Sequence, residues 1–317
     1  MLKYIFKRFL MMIPVLLGVT FIVFFILALT PGDPAKIILG DQATEQALID
    51  LRSQLGLDKP MLVRYVNYVS NLVRGDMGIT YKNRLSVADE IMSRVPNTFL
   101  LAGCAICISL LVGIPIGILS AIKRNTIIDN VAMVMALTGV SMPVFWFGLI
   151  LVIVFALNLR LLPSQGMNTT NFVMLARSLV LPSIALSTGS IAMITRMTRS
   201  SMLEVIRQDY IDTARAKGVK EGIVIVKHML KNALIPIITI VGLQFGSTLG
   251  GAIVVETVFS WPGLGRFLLE GIRMKDTPSV LGSVIFMSML FSLMNLLVDV
   301  LYAVVDPRLR SQWSQKA

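Results

Sequence analysis

The chain has 317 residues, 55% hydrophobic and 15% charged, with a mean hydropathy of +0.78, a balance outside the range of a soluble globular domain. Its net charge of +11 is scattered between apolar stretches instead of gathered in one basic stripe, so nucleic acid is not an expected partner. One histidine, His228, and two cysteines inside an apolar run, Cys104 and Cys107, leave little material for a disulfide framework or a metal cluster, and no metal site is expected.

A helix needs roughly 20 apolar residues to cross a hydrocarbon core about 30 Å thick. The first such stretch runs from Phe9 to Leu29, behind Lys3, Lys7 and Arg8. It is longer than a signal-peptide core and no small-x-small cleavage site follows it, which makes residues 1–30 a retained transmembrane helix. The polar connection from Pro31 to Asn97 reads as a loop or small external layer, residues 31–97. Further spans are predicted at Leu100–Ile122, Val131–Leu157, Leu179–Met197, Ala233–Val255 and Val280–Val304, giving a core over residues 98–305 and a tail at 306–317. The fold class is all-α, a polytopic membrane protein with about six transmembrane helices.

Lysine and arginine in short connections stay on the cytoplasmic side. Lys3, Lys7 and Arg8 therefore place the amino terminus inside, and six spans also bring Lys123, Arg124, the segment 196–231 and the tail with Arg308, Arg310 and Lys316 inside. The long connection from Pro31 falls outside, where mixed charge is no objection.

Within the spans, Gly113 and Gly117 are four residues apart, and Gly242, Gly246 and Gly250 repeat that spacing, as expected where helix backbones approach closely. Pro115, Pro143 and Pro182 each remove a backbone donor in or beside a span and are compatible with static kinks or with a hinge. Ionisable groups at membrane depth are few: Asp299, a turn after Asn295, is expected to satisfy a neighbouring helix or a basic loop residue, and Glu256 to lie at the outer interface. The C-x-x-C pair, in an apolar span without basic neighbours, reads as two small packing residues.

The connection 196–231 is long and basic, yet it encodes a compact helix. Asp209 can cap it with Asp212 three residues on, Arg215 and Lys217 suit its negative end, and Gly218 can take the left-handed conformation that stops it. A helix this short is marginal alone in water, so packing must hold it, and the two encoded ends point to a docking element; a solvated basic loop lying on anionic lipid would explain the charge but not two ends so close together. After the fifth span, Trp261 suits a membrane interface and Pro262-Gly263 the centre of a type II turn.

The run Asp212-Thr213-Ala214, three residues, then Gly218 resembles the E-A-A-x-x-x-G motif in the cytoplasmic coupling loop of bacterial ABC importer permeases. Asp212 takes the place of the glutamate, Thr213 and Ala214 those of the alanines, and Gly218 that of the glycine; the proline expected further along falls on Lys231, with Pro236 nearby. Four further segments resemble the peptide and nickel branch, in its dipeptide permease B-type subunit. They are Pro31-Gly32-Asp33-Pro34, Arg196-Met197-Thr198-Arg199-Ser200-Ser201-Met202, Phe259-Ser260-Trp261-Pro262-Gly263-Leu264-Gly265-Arg266 and Asp306-Pro307-Arg308, and the whole run Tyr210-Ile211-Asp212-Thr213-Ala214-Arg215-Ala216-Lys217-Gly218 resembles that branch as well.

The resemblance implies a type I ABC importer permease fold in the bacterial cytoplasmic (inner) membrane, both termini cytoplasmic. It implies an ATPase-docking coupling helix carrying Asp209, Tyr210, Asp212, Thr213, Ala214, Arg215, Lys217 and Gly218. Trp261, Pro262, Gly263 and Gly265 would lie by the outer gate and meet a periplasmic or lipid-anchored substrate-binding protein. The remaining partners would be a homologous second permease, two ABC ATPase subunits and membrane lipid. The chain itself would bind no cofactor and hold no catalytic residue, with ATP and Mg on the ATPases; no G-x-x-x-x-G-K-[ST] phosphate loop is present. The cargo implied is a di- or oligopeptide, with glutathione or a nickel chelate as alternatives. A secondary transporter or channel would call for ionisable groups at membrane depth or repeated halves, and an intramembrane enzyme for a nucleophile or acid–base cluster, and the sequence offers little of either.

Overall fold

The computed structural model describes residues 2–40 and 42–305, with side chains over 5–40 and 42–297. The side chain of Asp299 and the tail that holds Asp306-Pro307-Arg308, Arg310 and Lys316 lie outside the described residues. Among the described residues the regular structure is helical, apart from one isolated antiparallel bridge between Ile79 and Ser86.

The helices are α1 (Leu2–Leu29), α2 (Pro34–Leu39), α3 (Glu45–Gln54), α4 (Met61–Val73), α5 (Val87–Ile122), α6 (Ile127–Ser141), α7 (Val144–Leu151), α8 (Phe172–Val205), α9 (Asp209–Ala216), α10 (Glu221–Ile223), α11 (Lys231–Val258), α12 (Leu264–Met274) and α13 (Thr277–Val305). Wider π-helical turns extend α7 over Val152–Asn158 and join α10 to α11 over Val224–Leu230. Among the described residues, five helical stretches are long and apolar enough to cross a membrane: α1, α5, α8, α10 to α11, and α13. The expected third span is not one straight helix. It is α6 and α7, bent by 104°. Pro143 causes the break: it has no N–H to continue the ladder, and it holds Met142 in an extended conformation (φ −81°, ψ 125°).

Packing divides the chain into two units, one built on Phe99–Trp261, the other on Ile5–Thr98 with Pro262–Ser292. In the second, the expected external layer is helical, and α5 begins at Val87, ahead of the boundary at residue 97 read from hydropathy. The Tyr65 hydroxyl on α4 donates to the Leu17 carbonyl of α1 at 2.9 Å, with its ring edge-on to Phe21 at 5.2 Å. The Pro31-Gly32-Asp33-Pro34 motif now has a physical reason. Asp33 caps α2 through the Ala35 amide (3.0 Å), Pro34 takes the first helical position, and Arg52 binds the other carboxylate oxygen through Nε and Nη2 at 2.8 and 2.5 Å. Burial alone would raise the Asp33 carboxyl, but the hydrogen bonds from Arg52 and Ala35 outweigh it and hold it below the usual range. Gly32 sits at φ +118°, and Lys275 Nζ donates to the carbonyls of Thr30, Pro31 and Gly32. A β-carbon at Gly32 would lie 2.8 Å from that ammonium, but the lysine end can shift, so the backbone angle is what requires glycine.

The unit on Phe99–Trp261 is organised by α8, whose buried side chains include Ser183, Ser187, Ser190, Thr195 and Thr198. Small polar residues let backbones come close where lipid offers no hydrophobic drive to association. Against α8 lies α5: a β-carbon at Gly113 would stand 3.0 Å from Ile194 Cγ2, and one at Gly117 only 2.6 Å from Thr198 Cβ and 2.7 Å from the Thr195 carbonyl oxygen. We therefore expect Gly117→Leu to push the two helices apart at a cost of about 1–3 kcal/mol, read as a lowered midpoint in thermal unfolding of the detergent-solubilised protein. The second glycine series behaves differently. Gly246 is buried on α11, but Gly250 is exposed and a β-carbon there would meet nothing within 4 Å, so the three glycines do not form a continuous close-packed ridge within this chain.

Candidate functional site

The helix α9 is present with the encoded stop but not the expected start. Gln208, not Asp209, is the N-cap residue, and no side chain caps the amides. Asp209 is the first helical residue, where with Asp212 it still favours the positive helix end. At the other end Gly218 takes φ +76°, its amide donates to Arg215 O at 2.9 Å, and the Val219 amide reaches back to Ala214 O at 3.3 Å. Those two bonds make a Schellman stop, and Val219 packs on the same apolar cluster as Ala214.

What holds α9 is one apolar side. Ile211 is fully buried and Ala214 nearly so, packed in a cluster with Ala121 of α5, Met202 of α8, Val224 and Met229 of the π-helical turns, and Ala233 and Ile237 of α11. The opposite side carries Tyr210, Asp212, Thr213, Arg215 and Lys217, all exposed, with the Asp212 side chain 78% exposed. Arg215 reaches across to Glu221 on α10 at 2.7 Å and more loosely to Asp212 at 3.7 Å; the Glu221 carboxylate beside it raises its already high pKa. The element is a rigidly seated helix with a polar, solvent-facing surface.

Beside this seat is a buried charge that the sequence reading passed over. Asp129, in the first turn of α6, has a side chain 2% exposed. It accepts from Arg199 Nε (2.6 Å) and Nη2 (2.7 Å) on α8, from the Ser120 hydroxyl on α5, and from the Asn125 amide at 3.0 Å. One carboxylate thus ties three helices and their connecting turn. Ser120 precedes Ala121, and Arg199 stands one turn before Met202, so the same stretches of α5 and α8 carry both the brace and the seat of α9.

The segment after α11 departs from its expected form. Trp261 is fully buried in the cluster of Leu181, Ala185, Ala252, Val255 and Phe259, and Glu256 is also fully buried, so both are covered by the chain's own packing. Pro262-Gly263 is not a type II turn, because Gly263 is extended (φ −101°, ψ 178°) and the left-handed residue is Ser260 (φ 49°). Gly263 precedes α12, Gly265 is buried within it, and Asn97 Nδ2 holds the Pro262 carbonyl at 2.8 Å. Of these four residues only Pro262 is exposed. Cys104 and Cys107 are both free, with Cys104 packed on the Trp261 cluster.

The family description for binding-protein-dependent transport system inner membrane components matches residues 113–311, and the description of their N-terminal part matches residues 1–102. The chain belongs to the binding-protein-dependent transport system inner membrane component family. This permease is 43% identical over 332 residues to the dipeptide transport system permease protein DppB of Alkalihalophilus pseudofirmus, covering 98% of this chain and 100% of that one. It is 41% identical over 336 residues to DppB of Escherichia coli K12 and 43% identical over 310 residues to the glutathione transport system permease protein GsiC of the same strain, each covering 98% of this chain and 99% of the relative. In fold it is similar to a chain of the inward-facing MetNI methionine ABC transporter, with a TM-score of 0.57 at 17% identity over 68% of the permease and 96% of that chain.

Two features of the permease escaped the sequence reading for different reasons. Asp129 was legible as an acid opening an apolar run, but Arg199 lies 70 residues away and only packing reveals the pair. The helix α12 was legible outright: Leu264, Phe267, Leu268 and Gly271 recur at helical spacing and are its buried side.

Proposed function

We propose that this permease carries small peptides into the cell and is driven by ATPase subunits seated on α9. The observation that carries the reading is the division of α9 between a buried side, Ile211 and Ala214, and an exposed polar side, Tyr210, Asp212, Thr213, Arg215 and Lys217. A helix of 8 residues has too few internal hydrogen bonds to stand alone. Fixed to the protein by one side, it offers the other to a partner. The peptide class is supported by relatives named for dipeptide and glutathione transport.

In this reading a homologous second permease completes the pathway, two ATPases bind ATP and Mg on the cytoplasmic side, and an external binding protein delivers cargo. The lysine and arginine distribution supports cytoplasmic placement of α9 and the amino terminus. Force on α9 passes through Ile211 and Ala214 to α5, α8 and α11, and through Asp129 to α6. ATP binding then shifts the population between inward-open and outward-open arrangements that differ in affinity for the partners.

The test is retention of the ATPase subunit on affinity-captured permease extracted from membranes. Tyr210→Ala with Asp212→Arg changes only exposed side chains, so permease abundance stays at the wild-type level while ATPase retention falls roughly tenfold, the loss expected for about 1.4 kcal/mol of contact energy. Full retention by that variant would remove α9 as the docking element.

A further inference from the structure

The unit built on Ile5–Thr98 and Pro262–Ser292 contains a cavity of about 330 Å³ in which charges of both signs converge. Lys82 and Arg273 line it, and among the described residues neither is in an ion pair. Three carboxylates share the lining, Asp276, Glu90 and Glu270, the last held by Arg266 at 2.8 Å. Asp276 is buried, and its two oxygens accept the Tyr81 amide at 2.7 Å and the Ser279 amide at 3.2 Å, which leaves lone pairs on both. Glu90 is bound by Arg94 through Oε2, while its Oε1 receives no hydrogen bond among the described residues. Ser279 also lines the cavity, only 1% exposed, and its hydroxyl, close to the Asp276 carboxylate, makes no well-formed hydrogen bond among the described residues. Buried hydroxyls without a partner are uncommon because desolvation goes uncompensated.

We propose that this cavity is a peptide-binding site, which holds the zwitterionic main chain of a short peptide with its carboxylate on Lys82 and Arg273 and its ammonium on Asp276 and Glu90. The proposal rests on the peptide reading above and assigns it a place in the layer outside the membrane spans. Paired opposite charges select the zwitterion by exclusion as well as attraction. A simple anion meets Asp276 and Glu90, a simple cation meets Lys82 and Arg273, and only a ligand with both ends satisfies the set. The Ser279 hydroxyl supplies a further donor or acceptor, and Phe267 and Met274 offer apolar surface to a side chain. The volume lies at the small end of ligand pockets, which suits a peptide of two or three residues. A cavity here would hold cargo released from a binding protein before it enters the pathway.

The experiment uses the assembled transporter in lipid nanodiscs without its binding protein, titrated calorimetrically with Ala-Ala, N-acetyl-Ala-Ala and Ala-Ala amide. Ala-Ala binds, and both end-blocked forms bind about tenfold or more weakly. Lys82→Gln with Arg273→Gln, both exposed, weakens Ala-Ala by about the same factor without altering assembly. Absence of Ala-Ala binding, or equal binding by the double variant, overturns the site. Uptake of Ala-Ala into proteoliposomes, measured in parallel with the binding protein present, separates the two readings. Uptake without binding to the nanodisc complex defeats the site alone, whereas no peptide uptake under any condition defeats the transport reading.

Discussion

Replacing Asp129 with alanine lowers the stability of the solubilised permease by about 3 kcal/mol, the low end of the range for breaking a buried ion pair, since Arg199 keeps 24% of its side-chain surface exposed. The loss has two parts. The Arg199 guanidinium keeps its desolvation cost without its bidentate partner, and the Ser120 hydroxyl and Asn125 amide lose their acceptor. If this account holds, the cost comes from the orphaned charge more than from the missing bond. Asp129→Ala with Arg199→Met then recovers the part of the loss that comes from the orphaned guanidinium, while the Ser120 hydroxyl and Asn125 amide still lack their acceptor. A thermal-unfolding double-mutant cycle reads the coupling directly, and additive losses at the two positions would contradict the pairing. Transport separates brace from fold: the double variant, although stable, moves less substrate per ATP because α6 is no longer tied to the helices that seat α9.

Gly218 is the second position where a large effect is expected, for a backbone reason. A β-carbon there would meet nothing within 4 Å, so bulk is not the obstacle. The obstacle is φ +76°, which costs a residue with a β-carbon roughly 1–2 kcal/mol. Asparagine tolerates that region, alanine tolerates it less, and a β-branched residue least. ATP-dependent uptake should therefore fall in the order Gly, Asn, Ala, Val, while membrane insertion is unchanged for all four. A series that followed side-chain volume in place of left-handed tolerance would mean that a partner surface, not the Schellman stop, sets the requirement. The relation to Ile211 is informative too. That residue anchors α9 to the apolar cluster, and losing the stop frees the chain beyond Ala214 without moving the anchor, so under the proposed function uptake should fall before ATPase retention does.

The apolar spans were legible because crossing a hydrocarbon core demands a length and composition that few other structures need. The stop of α9 was legible because a left-handed residue after a helix with basic residues in its last turn calls for glycine. Its start was misread for an equally local reason: Gln208 and Asp209 are adjacent, and either can stand at the first non-helical position when no side chain reaches the amides. Trp261 shows the other kind of miss. An aromatic beside a proline at a span's end suits the interface on average, and only the packing of Phe259, Leu181 and Ala185 around it puts it inside.

By itself, the sequence determined that this is a helical membrane protein, where most of its spans run, and that a short stopped helix stands in the basic loop between two of them. Each of these follows from local physics: hydropathy over a window, charge in short connections, backbone angle at a single glycine. Only the tertiary structure decided that the third span breaks at Pro143 into a 104° bend, that Gly117 rather than Gly250 marks a close helix crossing, that Asp129 finds Arg199, and that Lys82, Arg273, Glu90 and Asp276 share one cavity. Those facts depend on which distant residues meet. In one dimension a close approach and an open face leave the same glycine spacing, and a buried carboxylate shows its cost only once its partner is in view.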